Sequence, residues 1–182
     1  MDTLWKSYRI FNYIKLTGIW ISGIFLLVMM GFIVYDVAAR NLFAGSINGG
    51  FEIVQNYLMP LVVFPGLAYA YSSGVLPKMD LIIERIPVNA QRTLVIVLIL
   101  IELFVLVLLV EFTWEFAMNG LERQEGFPAA GRLYPLYPLF FLIPVSFALI
   151  VIENLFLLIR NFRIKEPTLI MIADNPETED PT

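Results

Sequence analysis

Four apolar runs, at about 16–35, 51–71, 94–116 and 136–159, take up about half of a chain of 182 residues. A helix needs about 20 apolar residues to cross the hydrocarbon of a bilayer, and exposed irregular backbone is not tolerated there, because its N–H and C=O groups find no water. The chain therefore reads as an all-α integral membrane protein with four transmembrane helices forming one membrane domain over 1–165. Hydrophobic residues make up 59% of the chain and charged residues 15%, which leaves little for a separate soluble domain. Of the sixteen acids, five lie in 166–182, and that proline-containing tail reads as an acidic, disordered end rather than a binding site.

The chain contains no histidine and no cysteine. Histidine haem ligation, histidine proton shuttles, thiolate zinc and thiol chemistry are thereby excluded within it. No glycine-rich phosphate loop of the Walker type is present. The expectation is a non-enzyme without cofactor, with membrane lipid and other membrane chains as partners and no nucleic acid.

Each run carries its own marks. The first is uncharged and longer than the roughly 7–15 apolar residues of a signal sequence, so it reads as a retained helix. Its Gly18, Ser22 and Gly23 suit either a close helix crossing or ordinary glycine usage in membranes. The second run opens with Glu52, Gln55 and Asn56 and holds Pro60 and Pro65, so a kink is expected. The third is almost unbroken. The fourth opens in a stretch where Tyr134 and Tyr137 suit the membrane interface, and it carries Pro144.

Basic residues set the orientation. Lys6, Arg9 and Lys15, then Lys78, Arg85 and Arg92, and finally Arg160, Arg163 and Lys165 flank one side, whereas the other side has only Arg40, Arg123 and Arg132. By the positive-inside rule both termini are cytoplasmic, and the loops around Ser46 and Phe127 face outward. Between the second and third runs, Met79, Ile82, Ile83 and Ile86 recur at helical spacing opposite Lys78, Asp80, Glu84 and Arg85. A short amphipathic interfacial helix ending near Pro87 is expected, the alternative being a loop that touches the bilayer.

Two acids interrupt the apolar runs. Glu102 and Glu153 lie roughly 12 and 9 Å from the cytoplasmic ends of their helices at about 1.5 Å per residue. An ionised acid inside the bilayer costs roughly 2.5–3.5 kcal/mol, so each must be protonated, paired or turned toward protein. A proton- or cation-coupling site is one reading. The other is a structural hydrogen bond or salt bridge to a neighbouring helix, with Asn154 as a further polar group. The structural reading is favoured because Glu102 is alone among the polar residues between Leu94 and Val110. Glu111 and Glu115 reach water near the outer end.

The order of these features resembles one family. Tyr35-Asp36-Val37-Ala38-Ala39-Arg40-Asn41-Leu42-Phe43 after the first run, Gly50-Phe51-Glu52 at the second, Pro77-Lys78-Met79-Asp80 after it, and Leu133-Tyr134-Pro135-Leu136 before the last are similar to the small, DctQ-like permease subunit of tripartite ATP-independent periplasmic (TRAP) transporters. Two departures are a single acid, Glu52, opening the second helix, where the family often has a tryptophan and paired acids, and Leu76-Pro77 where it often has a histidine. The resemblance implies a bacterial or archaeal cytoplasmic membrane, a large DctM-like membrane subunit holding substrate and sodium sites, and a DctP-like periplasmic binding protein delivering a small organic acid. This chain would brace the large subunit. Asp36, Arg40, Glu52, Lys78 and Asp80 carry over as structural or interface residues, beside Glu102 and Glu153. The outward segments 48–52 and 122–132, with Arg123 and Arg132, are expected at the docking surface. The alternatives are an autonomous proton-coupled four-helix exporter and an accessory subunit of another membrane complex. The substrate is not legible, since the partner reads it.

Overall fold

A computed structural model describes residues 2–43, 45, 47–73 and 88–163. The expected interfacial helix, with Lys78 and Asp80, and the acidic tail lie outside the described residues. Among the described residues, four helices are long and apolar enough to cross a membrane. The first, α1, runs Asp2–Phe43. The second is composite: α2 (Gly50–Ile53), a π-helical turn (Val54–Leu58) and α3 (Met59–Ser72) follow without a break. The third, α4, runs Val88–Glu122. A hairpin of β1 (Gly126–Ala129) and β2 (Arg132–Pro135) leads into the short α5 (Tyr137–Phe140) and then α6 (Leu142–Arg163).

The helices outrun the apolar runs that announce them. α1 starts far ahead of residue 16, because nothing from Asp2 to Lys15 is a proline or glycine, and polar residues near water keep helical backbone as readily as apolar ones. At 42 residues it measures roughly 63 Å, about twice the hydrocarbon thickness. Prolines explain the interruptions. Pro60 lacks the N–H that would continue the four-residue ladder, and just before it the helix widens so that Met59 N–H donates to Val54 O. Pro144 acts likewise on the carbonyl four residues earlier, and the break between α5 and α6 falls at Phe141.

α1 crosses α3 closely. A Cβ on Gly18 would fall 2.2 Å from the Pro65 carbonyl oxygen, and one on Gly66 would fall 2.8 Å from Ser22 Oγ, whereas Gly23 faces open space. Gly18 and Ser22 thus serve the close crossing and Gly23 does not. Ser146 Oγ on α6 stands 2.7 Å from the Phe64 carbonyl oxygen beside Pro65, tying α6 to the same point. α3 and α4 both pack on α6. Tyr8, Phe11, Val95, Ile99 and Leu157 form one buried cluster at the end where α1 begins and α6 finishes. Ala68, Leu106 and Ile150 form a second, nearer the middle.

The hairpin departs from an otherwise helical expectation. Its strands pair antiparallel with Phe127 opposite Tyr134 and Ala129 opposite Arg132. Ala130 and Gly131 turn the chain with φ of 51° and 75°, the left-handed pair that a two-residue hairpin turn requires. Pro128 and Pro135 in strands of four residues hide it from a sequence reading, since proline argues against a paired strand.

Candidate functional site

The sequence places one lysine and two glutamates within the spans, and the fold gathers these into a polar layer. Tyr8, Phe11 and Lys15 recur at spacings of three and four, so they line one face of α1. That face meets α6 at Glu153, which is fully buried. Lys15 Nζ donates to Glu153 Oε2 at 2.7 Å, and Tyr8 Oη donates to Oε1 at 2.9 Å. Lys15 Nζ also lies 3.2 Å from Tyr8 Oη and 4.8 and 5.2 Å from the ring centres of Tyr8 and Phe11. The ammonium therefore has a carboxylate in front and aromatic faces beside it, with 1% of the residue exposed.

The next residue on α6 points elsewhere. Asn154 Oδ1 is 2.9 Å from Tyr71 Oη on α3, and Tyr71 Oη donates to Glu102 Oε1 on α4 at 2.6 Å. Successive helical residues are about 100° apart, so Glu153 can serve α1 while Asn154 serves α3 and α4. The layer thereby touches all four membrane-crossing helices. Such bonds contribute little net stability against apolar replacements. They fix which helix faces which, because any other pairing leaves a charge or hydroxyl unmet in lipid.

At the hairpin end the bonding is different. Arg40 Nη2 donates to Asp36 Oδ2 at 2.8 Å, and Ile47 N–H donates to Asp36 Oδ1 at 2.8 Å, so Asp36 holds both its own helix end and the following loop. Gly49, with φ of 77°, lies so close to the hairpin that a Cβ would sit 2.7 Å from Ala130 N. Tyr57 Oη donates to the Pro135 carbonyl, and the Tyr57 and Phe127 rings meet edge to face at 5.3 Å. Glu52 is exposed on α2. Arg123 follows α4 and Arg132 stands beside the hairpin turn, both exposed, so they lie at opposite ends of the hairpin rather than together. Among the described residues no cluster of three or more acidic, cysteine or histidine side chains could hold a metal ion.

Tyr8, Lys15 and Tyr71 are the site residues that the sequence reading missed. Lys15 stands at the border of the first run and reads as a flanking charge, yet it, like Arg160, is buried. The signal was its spacing of seven from Tyr8, two turns along one face.

A family model for the DctQ component of tripartite ATP-independent periplasmic transporters matches residues 29–163. The chain belongs to this family. A curated relative, the ectoine TRAP transporter small permease protein TeaB of Halomonas elongata, is 27% identical over 108 residues, which cover 59% of this chain and 55% of the relative. The chain thus spans about half the length of the curated relative it matches. No solved structure matches the chain. As a DctQ component with four apolar spans, it is a small permease protein of a TRAP transporter and a multi-pass protein of the inner membrane.

Proposed function

We propose that this DctQ-type chain is a bracing subunit. It holds a large membrane subunit that carries the substrate and sodium sites, and its hairpin end forms part of the surface on which a periplasmic binding protein docks. Both termini lie in the cytoplasm, and the transported solute is a small organic acid. Ectoine, named for the relative, belongs among the first solutes to test.

The observation that carries this reading is the fate of the polar groups within the spans. Lys15 and Tyr8 hydrogen-bond Glu153, and Tyr71, beside Asn154, hydrogen-bonds Glu102 between helices, which supports a frame rather than a hydrated path. Large apolar side chains remain uncovered along α1 and α4, among them Trp20, Leu27, Phe104 and Phe112, as suits packing against another membrane chain and lipid. The hairpin end is bonded to its own backbone, so it presents a shaped surface that includes Arg132.

The test is purification of the tagged chain from its host in nanodiscs, with mass determination of what accompanies it. Stoichiometric recovery of one much larger membrane protein is expected, and reconstituted vesicles holding both chains and the binding protein should take up solute only with a sodium gradient. Recovery of the chain alone, moving protons or drugs by itself, would sink the proposal.

A further inference from the structure

Glu153 and Glu102 enter the same polar layer with unequal provision. Glu153 has Lys15 at 2.7 Å. Glu102 has the hydroxyl of Tyr71 at 2.6 Å, and among the described residues no lysine or arginine pairs with it. One neutral hydrogen bond does not balance a carboxylate at this depth. With Lys15 matched to Glu153, Glu102 is the acid left without a countercharge in the layer.

Its place on α4 shows where that charge can come from. Val95, Ile99 and Leu106 make the buried stripe of the helix, with 1%, 1% and 7% exposure. Ile101, Val105 and Phe112 make an adjacent exposed stripe, with 56%, 47% and 64%. At about 100° per residue, Glu102 lies about 20° from Val95 and about 60° from Val105, at the edge of the buried stripe that looks toward the exposed one. It is partly buried against Tyr71 and partly open to whatever covers the exposed stripe. Glu153 on α6, in contrast, is fully buried.

We propose that Glu102 is a docking acid that receives a lysine or arginine from a transmembrane helix of the large subunit laid along Ile101, Val105 and Phe112. The inference rests on the bracing role proposed above and names the contact that role uses. Charge complementarity selects the occupant: an apolar stripe takes an apolar helix, and the carboxylate at its edge requires a cation on that helix. Tyr71 is a positioning residue. Its hydroxyl holds one carboxylate oxygen and leaves Oε2 for the arriving cation.

Dicyclohexylcarbodiimide reacts with neutral membrane carboxyl groups and spares those held in ion pairs, and it can be applied to the wild-type complex and to the isolated chain. Labelling of Glu102 in the isolated chain and its protection in the complex are expected, with Glu153 spared in both. In parallel, Glu102→Gln, which keeps an acceptor for Tyr71, should lower recovery of the large subunit at least about tenfold, because the partner's cation is left buried without its acid. Tyr71→Phe should change recovery far less. Labelling of Glu102 in the complex to the same extent as in the isolated chain would overturn the proposal, as would full recovery with Glu102→Gln. Protection in the isolated chain in phosphatidylethanolamine vesicles would assign the acid to a lipid amine and overturn it too. Failure of the wild-type chain to recover any large subunit would remove the bracing role itself, a separate result.

Discussion

The two ends of the bundle are held by different kinds of bond. Where α1 begins and α6 finishes, side chain meets side chain, Lys15 and Tyr8 on Glu153, and all three are buried. At the hairpin end a side chain meets backbone, Asp36 on Ile47 N–H and Tyr57 on the Pro135 carbonyl, at partly exposed positions. The difference follows the solvent. Inside the spans a charge must be matched by another part of the fold, so the match dictates helix pairing; at the water side the same groups can fall back on solvent, and their bonds shape loops instead.

That contrast can be broken most severely at Lys15. Lys15→Met leaves Glu153 buried without its cation and should cost about 3–5 kcal/mol, whereas Lys15→Met with Glu153→Leu should recover most of the loss. Denaturant unfolding of the chain in mixed micelles reads both, and a single variant as stable as wild type would show that the pair does not hold the helices. Gly18→Val comes next. Its side chain meets the Pro65 carbonyl, so a loss of about 1–3 kcal/mol is expected, with cysteine cross-linking between α1 and α3 reporting the separation. At the other end, Asp36→Ala removes two acceptor oxygens and should cost about 1–2 kcal/mol. Hydrogen exchange should rise at Ile47 and Gly50 and remain unchanged at Ile150. Arg40→Ala should do least, within about 0.5 kcal/mol, since its side chain is 66% exposed. If Arg40→Ala matched Asp36→Ala, the loop hold would belong to the ion pair rather than to the Ile47 N–H bond.

The helices were legible because a span of lipid demands a length of apolar residues, and no other local signal competes with it. Their ends were not. The flanks Asp2–Lys15 and Asp36–Phe43 mix polar and apolar residues without a breaker, and helix continues through them into water. The hairpin was hidden by Pro128 and Pro135, which normally argue against strands, while Gly131 alone marked a turn. Glu102 and Glu153 stood out as acids in apolar runs, but their partners did not. Lys15 is separated from Glu153 by 138 residues and Tyr71 from Glu102 by 31, and one sequence gives no measure of which helices are neighbours. Asp36 and Arg40 are visible through the family resemblance, yet the bond from Ile47 N–H that gives Asp36 its place depends on a loop path that only the fold reveals.

The separation of Lys15 from Glu153 also has a consequence for the order of synthesis. Ribosomes add about 5–20 residues per second, so α1 enters the membrane on the order of ten seconds before the residue that neutralises its lysine exists. During that interval the ammonium stays at the interface by extending its four-carbon stem toward the headgroups. Arrival of α6 then draws it inward. Completion of the last helix is thus the event that closes the first, and a chain truncated before Glu153 would leave α1 seated too shallowly, marked for quality control by its own unpaired charge.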